Sequence, residues 1–360
     1  MSSPFPSSDA GISMRFFLFL AVLAGFIGAA GYFGLRSFNH FDEIEREFAG
    51  QCTPFTGIAG PEDIEIDHER GLAFISSLDR RADGPRGAIH LVNLDEPLDG
   101  AGFVDRTGGE PEAFKPFGIA YYEDDEVRRL FVVNSAANSV ELFDVDEDGA
   151  LVHIETFAER RLTSPNNIVA VGPRQFYVTN DVKPGRTTRA GGLHFLFRAT
   201  SGEVFFVDGD TWRLAAEGLR FANGITASDD GAKIYVAETA SNTVRVYSRD
   251  LETDVLALSR TIKIDAAPDN LSIDTEGHIW IAALPKPLSA PSHGKNPAVH
   301  SPSAVIRIGG NDTPELIYRD SGAEISAATV AAKSGRTMLI GGLYDAKFLI
   351  CRLPPDNDPA

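Results

Sequence analysis

The sequence predicts an all-β fold: a six-bladed β-propeller with a central metal site, preceded by an N-terminal hydrophobic helix. Three observations carry this expectation. A short motif recurs six times, in which small or polar residues open an apolar stretch, a turn follows, and a second apolar run closes the unit. The copies begin at residues 61, 116, 165, 221, 268 and about 327, a spacing of 47 to about 59 residues. No long helical period interrupts them, and the 34 Gly and 21 Pro are spread along the chain, as many tight turns between short strands require. An open two-sheet sandwich is the competing architecture, and it leaves six copies unexplained.

Taken in order, residues 1–15 are a polar N-terminal segment. Phe16 to Leu35 is a 20-residue stretch without a charge, bounded by Arg15 and Arg36, which is the length of a membrane-spanning helix. It is longer than the usual apolar region of a cleaved signal peptide, although Gly28-Ala29-Ala30 offers a cleavage site. The reading is a signal-anchor that holds the rest of the chain on the extracytoplasmic side of a membrane, with secretion after cleavage as the alternative. Residues 36–50 form a linker, 51–353 the propeller and 354–360 a C-terminal tail. The two cysteines, Cys52 and Cys351, stand just ahead of the first repeat and inside the last. In an oxidising compartment a disulfide between them would tie the ends of the domain together.

Each repeat also supplies further strands. Leu130-Phe131-Val132-Val133 is followed by Val140-Glu141-Leu142-Phe143, and Ile234-Tyr235-Val236-Ala237 by Thr243-Val244-Arg245-Val246-Tyr247, each pair joined by turn residues. Two segments break the rhythm, Val182 to Gly202 and Pro285 to Ser303. Both read as long surface loops placed to cover a site. The chain carries 33 Lys and Arg against 51 Asp and Glu, a net charge of −18. So acidic a surface repels phosphate backbones and excludes nucleic acid as a partner.

In a propeller, equivalent repeat positions meet at one end of the central channel. Reading that position gives Glu62, Phe117, Asn166, Asn223 and Asp269, with Asp63, Gly118, Asn167, Gly224 and Asn270 beside them. This is a set of carboxylates and amides with no cysteine or histidine. Hard oxygen donors in this number suit Ca²⁺ and suit zinc or copper poorly. A single Asn before a strand is ordinarily a turn residue capping its own backbone; recurrence at one repeat position is what points to an ion.

These residues carry a resemblance. The stretch from about Cys52 to Cys351 resembles the paraoxonase/arylesterase family of calcium-dependent six-bladed propellers. The matching motifs are Glu62-Asp63, Val140-Glu141-Leu142-Phe143, Asn167 to Pro173 with Phe176-Tyr177 and Thr179-Asn180-Asp181, Phe221 to Ile225, and Asp269-Asn270. The resemblance implies a catalytic calcium held by Glu62, Asn166, Asn223, Asp269 and Asn270. It implies a second, structural calcium at Asp63, the main-chain oxygen of Ile119 and Asn167, where Asn replaces the family's Asp. It also implies a disulfide joining the chain ends, which Cys52 and Cys351 match.

The departures concern histidine. The family's proton-transfer pair falls at Phe117 and Ser135, and a further pocket histidine falls at Leu284. His68, His153, His278, His293 and His300 read as solvated or structural residues. The expected function is therefore hydrolysis of a small carboxylic ester or lactone with calcium polarising the carbonyl. The base would be Asp269 or Glu62, or Asp181 if it reaches the pocket. A membrane-tethered propeller that binds a ligand or partner without chemistry is the alternative from another class. A gluconolactonase-type or strictosidine-synthase-like enzyme is the third reading.

Overall fold

The structure is a computed structural model describing residues 10–84, 86–96 and 103–355. The expected segment 1–15 lies largely outside these residues, as do 356–360 of the tail. The chain divides into two units, residues 1–43 and 44–360. In the first, helix α1 runs Ala10–Arg36, beyond both ends of the expected stretch. Its part Phe16–Arg36 has a mean hydropathy of 2.2 and none of it is buried. Length and composition suffice for this helix to cross a membrane.

The second unit is built from six four-stranded antiparallel sheets. Blade one holds strands Pro61–Asp67, Leu72–Ser77, Ala88–Asn93 and Phe103–Asp105; blade two holds Pro116–Glu123, Arg128–Asn134, Ser139–Val145 and Leu151–Ala158. Blade three holds Pro165–Gly172, Gln175–Asn180, Gly202–Asp208 and Thr211–Leu219; blade four holds Ala222–Ala227, Lys233–Glu238, Thr243–Arg249 and Leu256–Lys263. Blade five holds Ala267–Ile273, Ile279–Leu284, Ser303–Ile308 and Pro314–Asp320. The first strand of every blade packs against its counterparts on either side, and these strands close a ring. The six-bladed expectation holds.

Blade six is assembled from both ends of the propeller. Strands Ala328–Ser334, Thr337–Gly342 and Lys347–Arg352 are completed by Gln51–Thr56. In that outer pairing Cys52 lies directly opposite Cys351, and the two are joined by a disulfide. A hydrogen-bonded ladder and a covalent bond thus shut the ring at one place.

Between blades, bulky side chains fill the wedge that the ring geometry opens. Phe131, Phe157, Phe176 and Phe205 pack together between blades two and three, all nearly inaccessible to water. Each such ring contributes on the order of 1.5–3 kcal/mol by burial. The last residue of the second strand performs a second recurring task. The side chain of Asn134 accepts from the Lys115 N–H at 3.0 Å, that of Asn180 from Ser164 at 2.7 Å, and that of Glu238 from Arg220 at 2.8 Å. Each pins a residue one or two positions ahead of its blade's innermost strand, and so sets where that strand enters the channel.

Every innermost strand then departs from regular pairing at the same point. The register shifts lie between Pro61 and Asp63, Pro116 and Ile119, Pro165 and Ile168, Ala222 and Ile225, Pro268 and Leu271, and Ala328 and Val330. Such bulges release residues from the ladder and re-aim their side chains. The repeat position singled out in the sequence is the bulged position. Its neighbour is glycine in two blades because the next blade leaves no room. A Cβ on Gly118 would fall 2.4 Å from the Asn167 Cα, and one on Gly224 would fall 2.5 Å from the Asp269 carbonyl oxygen.

The two segments expected as loops contain helices. Helix α2, Arg189–Leu196, is capped by the Thr188 hydroxyl, which accepts from the Gly191 N–H at 2.9 Å. Helix α3, Ala290–Lys295, follows a single 3₁₀ turn at Pro287–Ser289. Gly191 and Gly192 sit in the first turn of α2 and Pro291 in the first turn of α3, where a proline is tolerated.

Candidate metal centre

The bulged residues of all six blades converge. Glu62, Phe117, Asn166, Asn223, Asp269 and Thr329 line a single cavity of about 320 Å³. The sixth member, Thr329, comes from the faintest sequence copy, and its hydroxyl donates to the Glu62 carbonyl at 2.8 Å. The polar floor of the cavity is therefore made by the innermost strands. Its walls are largely apolar and come from Phe195 and Gly191 of the α2 segment, Pro287, Ala290 and Pro291 of the α3 segment, and Phe221, Leu284, Leu343 and Tyr344.

The hydrogen bonding of the floor leaves a set of oxygens unused. Glu62 Oε2, Asn166 Oδ1 and Asn223 Oδ1 are buried and accept nothing. The amide nitrogens of these asparagines are engaged instead: Asn223 Nδ2 donates to Thr239 Oγ1 at 3.0 Å, and Asn166 Nδ2 to Asp181 Oδ2 at 3.4 Å. Each amide is thereby oriented with its oxygen free. Burial pushes the Asp269 carboxyl well above its usual range, and the Glu62 charge beside it adds to the shift. Burial also raises Glu62, against the pull of Arg80. Buried orphan oxygens and carboxylates that resist ionisation are each costly. A divalent cation among Glu62, Asn166, Asn223 and Asp269 removes both costs, and the all-oxygen donor set fits calcium.

Asn270 does not stand with these four. It is fully buried away from the cavity lining, its Oδ1 accepts from Asn167 Nδ2 at 2.7 Å, and its Nδ2 donates to the Glu62 carbonyl oxygen at 3.0 Å and to Oε1 at 3.3 Å. It braces Glu62 from behind.

At the expected second site the side chains of Asp63 and Asn167 are hydrogen-bonded to their surroundings and to each other. Asp63 Oδ1 accepts from the Ile64 N–H at 3.0 Å, and Oδ2 accepts from the Ile119 N–H at 2.8 Å and from Asn167 Nδ2 at 3.1 Å. Ile119 thus presents its amide to Asp63. The Asn167 oxygen is itself held by the Ile168 N–H at 2.6 Å, which turns the NH₂ toward Asp63. An amide donor, Asn167 Nδ2, thus faces Asp63 where the resemblance implies a second ion. We expect Asn167→Asp to restore a second ion: elemental analysis of the purified variant should find about one more calcium per chain than the parent protein, and an unchanged count would reject this reading.

The remaining expected pocket residues divide. Phe117 and Leu284 line the cavity; Ser135 and Asp181 do not. Ser135 Oγ donates to the Lys115 carbonyl at 3.0 Å, so it serves the turn that enters blade two. Asp181 is wholly buried and pairs with Arg186, whose Nε lies 2.7 Å from its Oδ2. Arg186 faces the cavity in its place. Phe117 carries two guanidiniums on its ring, Arg80 at 4.5 Å and Arg186 at 4.4 Å. Neither arginine was singled out by the sequence, since both lie outside the repeat motif.

Among the described residues no histidine lines the cavity. His293, expected in a loop, is buried on α3, with Nε2 2.9 Å from Asp345 Oδ1 and Nδ1 2.7 Å from the Val299 carbonyl oxygen. Its ring packs 5.9 Å from that of the cavity residue Tyr344. His153 and His278 pair with the buried carboxylates Glu141 and Asp274. These are structural placements. Asp274, Glu276 and His278 come close enough to hold a metal, but Lys333 Nζ already lies 3.0 Å from both Asp274 and Glu276.

Fold and site together define a six-bladed propeller whose innermost strands bring unpartnered carboxylate and amide oxygens to the floor of an apolar cavity. The chain belongs to the arylesterase family, whose model matches residues 50–353. It is 32% identical over 334 residues to serum paraoxonase/arylesterase 1 of Homo sapiens, covering 88% of this chain and 92% of that protein. It is 32% identical over 335 residues to serum paraoxonase/lactonase 3 of Oryctolagus cuniculus, covering 88% and 93%. Among solved structures it resembles a luciferin-regenerating enzyme at a TM-score of 0.58 with 14% identity, covering 86% of this chain and 96% of that one. It also resembles a gluconolactonase of Xanthomonas campestris at 0.56 with 16% identity, covering 87% and 95%. At that identity the likeness shows the fold.

Proposed function

We propose that this protein is a calcium-dependent hydrolase of carboxylic esters or lactones, with the cavity as its active site and one calcium ion in it. The observation that carries the reading is the set of unused buried oxygens on Glu62, Asn166 and Asn223 beside Asp269, at the floor of an apolar cavity. Family membership and the names of the relatives, arylesterase and lactonase, agree with it.

Glu62, Asn166, Asn223 and Asp269 would hold the ion, which supplies Lewis-acid polarisation of a carbonyl oxygen. The protein's own residues do the rest. The apolar walls at Phe195, Phe221 and Leu284 bind the body of the substrate and exclude bulk water. Asp269 accepts the proton of an attacking water on its carboxylate; the ion it would hold offsets the desolvation that raises its proton affinity and so lowers its basicity, which predicts slow turnover. Asn270 holds the carboxylate of Glu62 in place by a hydrogen bond. The absence of histidine from the cavity wall favours a second reading, a propeller that binds its ligand without turnover.

One panel separates the two. The full chain in detergent micelles should hydrolyse phenyl acetate or aliphatic lactones, lose that activity to chelator and regain it on adding calcium. A protein that loses thermal stability to chelator yet turns over no member of the panel would be the binding propeller. For location, α1 would serve as the anchor, with the propeller in an oxidising, extracytoplasmic compartment that sustains the Cys52–Cys351 bond.

A further inference from the structure

The cavity holds one cationic group that the metal reading leaves without a task. Arg186 enters from the segment between the second and third strands of blade three, just ahead of α2. Its guanidinium is fixed at several points. Nε lies 2.7 Å from Asp181 Oδ2 and 3.1 Å from Ser164 Oγ, Nη2 donates to the Pro165 carbonyl, and the plane rests 4.4 Å from the Phe117 ring. Nη1 is different: it is buried and donates to nothing. A guanidinium held this rigidly, with one N–H edge left over, has lost little-used freedom in advance and waits for an oxygen acceptor. Arg186 lines the cavity, and Pro165, to which Nη2 is tied, directly precedes the floor residue Asn166. The guanidinium therefore belongs to the same cavity as the floor residues, where a reacting acyl group would lie.

We propose that Arg186 is a catalytic residue that binds the charged acyl oxygen, first as the oxyanion of the tetrahedral intermediate and then as one oxygen of the carboxylate product. This rests on the hydrolase reading. Water adds to the carbonyl carbon, the single bond from that carbon to the leaving oxygen breaks, one proton of the water passes through Asp269 to the departing oxygen, and the other is released to solvent as the acid product ionises to the carboxylate. Arg186 exchanges no proton; it donates a hydrogen bond whose strength grows as charge builds on the acyl oxygen. The ligand class that this edge selects is a carboxylate over its neutral isostere. The stack of Arg80 and Arg186 on Phe117 thus places fixed positive charge on the wall where the family resemblance places a proton-transfer histidine.

The test uses the calcium-loaded full chain and two probes of equal shape, phenylacetate and phenylacetamide, titrated by calorimetry. The parent protein should bind the carboxylate at least about tenfold more tightly than the amide, as one charge-assisted hydrogen bond provides. Arg186→Gln should lower that ratio about tenfold, leaving the preference the bound cation itself has for a carboxylate, and should lower kcat for phenyl acetate by about 10²-fold with KM less affected. Because Asp181 would be left buried and unpaired, the double variant Arg186→Gln with Asp181→Asn is the companion, and the same fall is expected of it. A ratio unchanged in both variants, or an equal weakening of acid and amide, overturns the assignment. If the parent turns over no ester yet its preference for the carboxylate depends on Arg186, the anion site stands and the hydrolase reading fails. If turnover occurs and the ratio ignores Arg186, the reverse holds.

Discussion

Asp269→Ala is expected to lower kcat for phenyl acetate or a lactone by at least about 10³-fold, because one side chain serves both as a ligand of the ion and as the proton acceptor. The propeller itself should survive. Asp269 is a buried carboxyl whose ionised form is opposed by desolvation and by the Glu62 charge, so removing it relieves a cost in the calcium-free protein. Circular dichroism and a cooperative melt would establish that the variant is folded. The sharper substitution is Asp269→Asn. It keeps an oxygen donor on the ring and abolishes the base. We expect it to bind calcium, more weakly for the loss of one negative charge, while turnover falls nearly as far as in the alanine variant. Calcium affinity and kcat measured together would thus separate holding the ion from moving the proton. Retention of turnover within tenfold in Asp269→Asn would place the base elsewhere, with Glu62 the remaining carboxylate on the cavity floor.

Removal of the Cys52–Cys351 disulfide should produce the largest single loss of stability in the propeller. The bond spans a sequence separation of 299 residues. Loop-closure entropy for so long a loop gives an upper estimate of roughly 5–6 kcal/mol. The measured loss should be smaller, about 2–5 kcal/mol, because the outer strand stays attached by its ladder. Six residue pairs, Gln51 with Arg352 through Thr56 with Lys347, hold the strands together without the bond, and Phe55 stacks on Phe348 with ring centres 4.8 Å apart. The native fold should therefore form in Cys52→Ser/Cys351→Ser, with an unchanged spectrum and a lowered urea midpoint. A midpoint unaltered by the double substitution would mean that the unfolded chain gains no freedom from losing the cross-link.

Much of this was legible in the sequence for a physical reason. Strand alternation and turn chemistry are local, so six copies of one pattern announce six blades. A closed ring then forces equivalent positions together, so Glu62, Asn166, Asn223 and Asp269 could be placed on one cavity floor though the chain between them is long. The opposition of Cys52 and Cys351 also follows from ring closure. Asn270 and Asn167 show the limit of that logic. Both occupy the right repeat position, yet which way an amide faces depends on its neighbours. The Ile168 N–H turns Asn167 so that its NH₂ fills the space beside Asp63, and Asn167 in turn draws the Asn270 oxygen away from the floor.

Ser135 and Asp181 teach the same lesson from the wall of the cavity. A resemblance transfers a position, but the side chain there bonds to what surrounds it: Ser135 to the Lys115 carbonyl and Asp181 to Arg186. The helices over the site escaped notice because α2 and α3 are short and rich in Gly and Pro, so neither shows a helical period. By itself the sequence determined the blade count, the closure of the ring and the repeat positions that meet on the cavity floor, because each follows from short-range pattern and symmetry. Only the tertiary structure decided that one set of oxygens stays free while another is capped by amides. It alone set an unpartnered arginine edge in the cavity wall, because hydrogen-bond partners drawn from different blades leave no trace in local sequence.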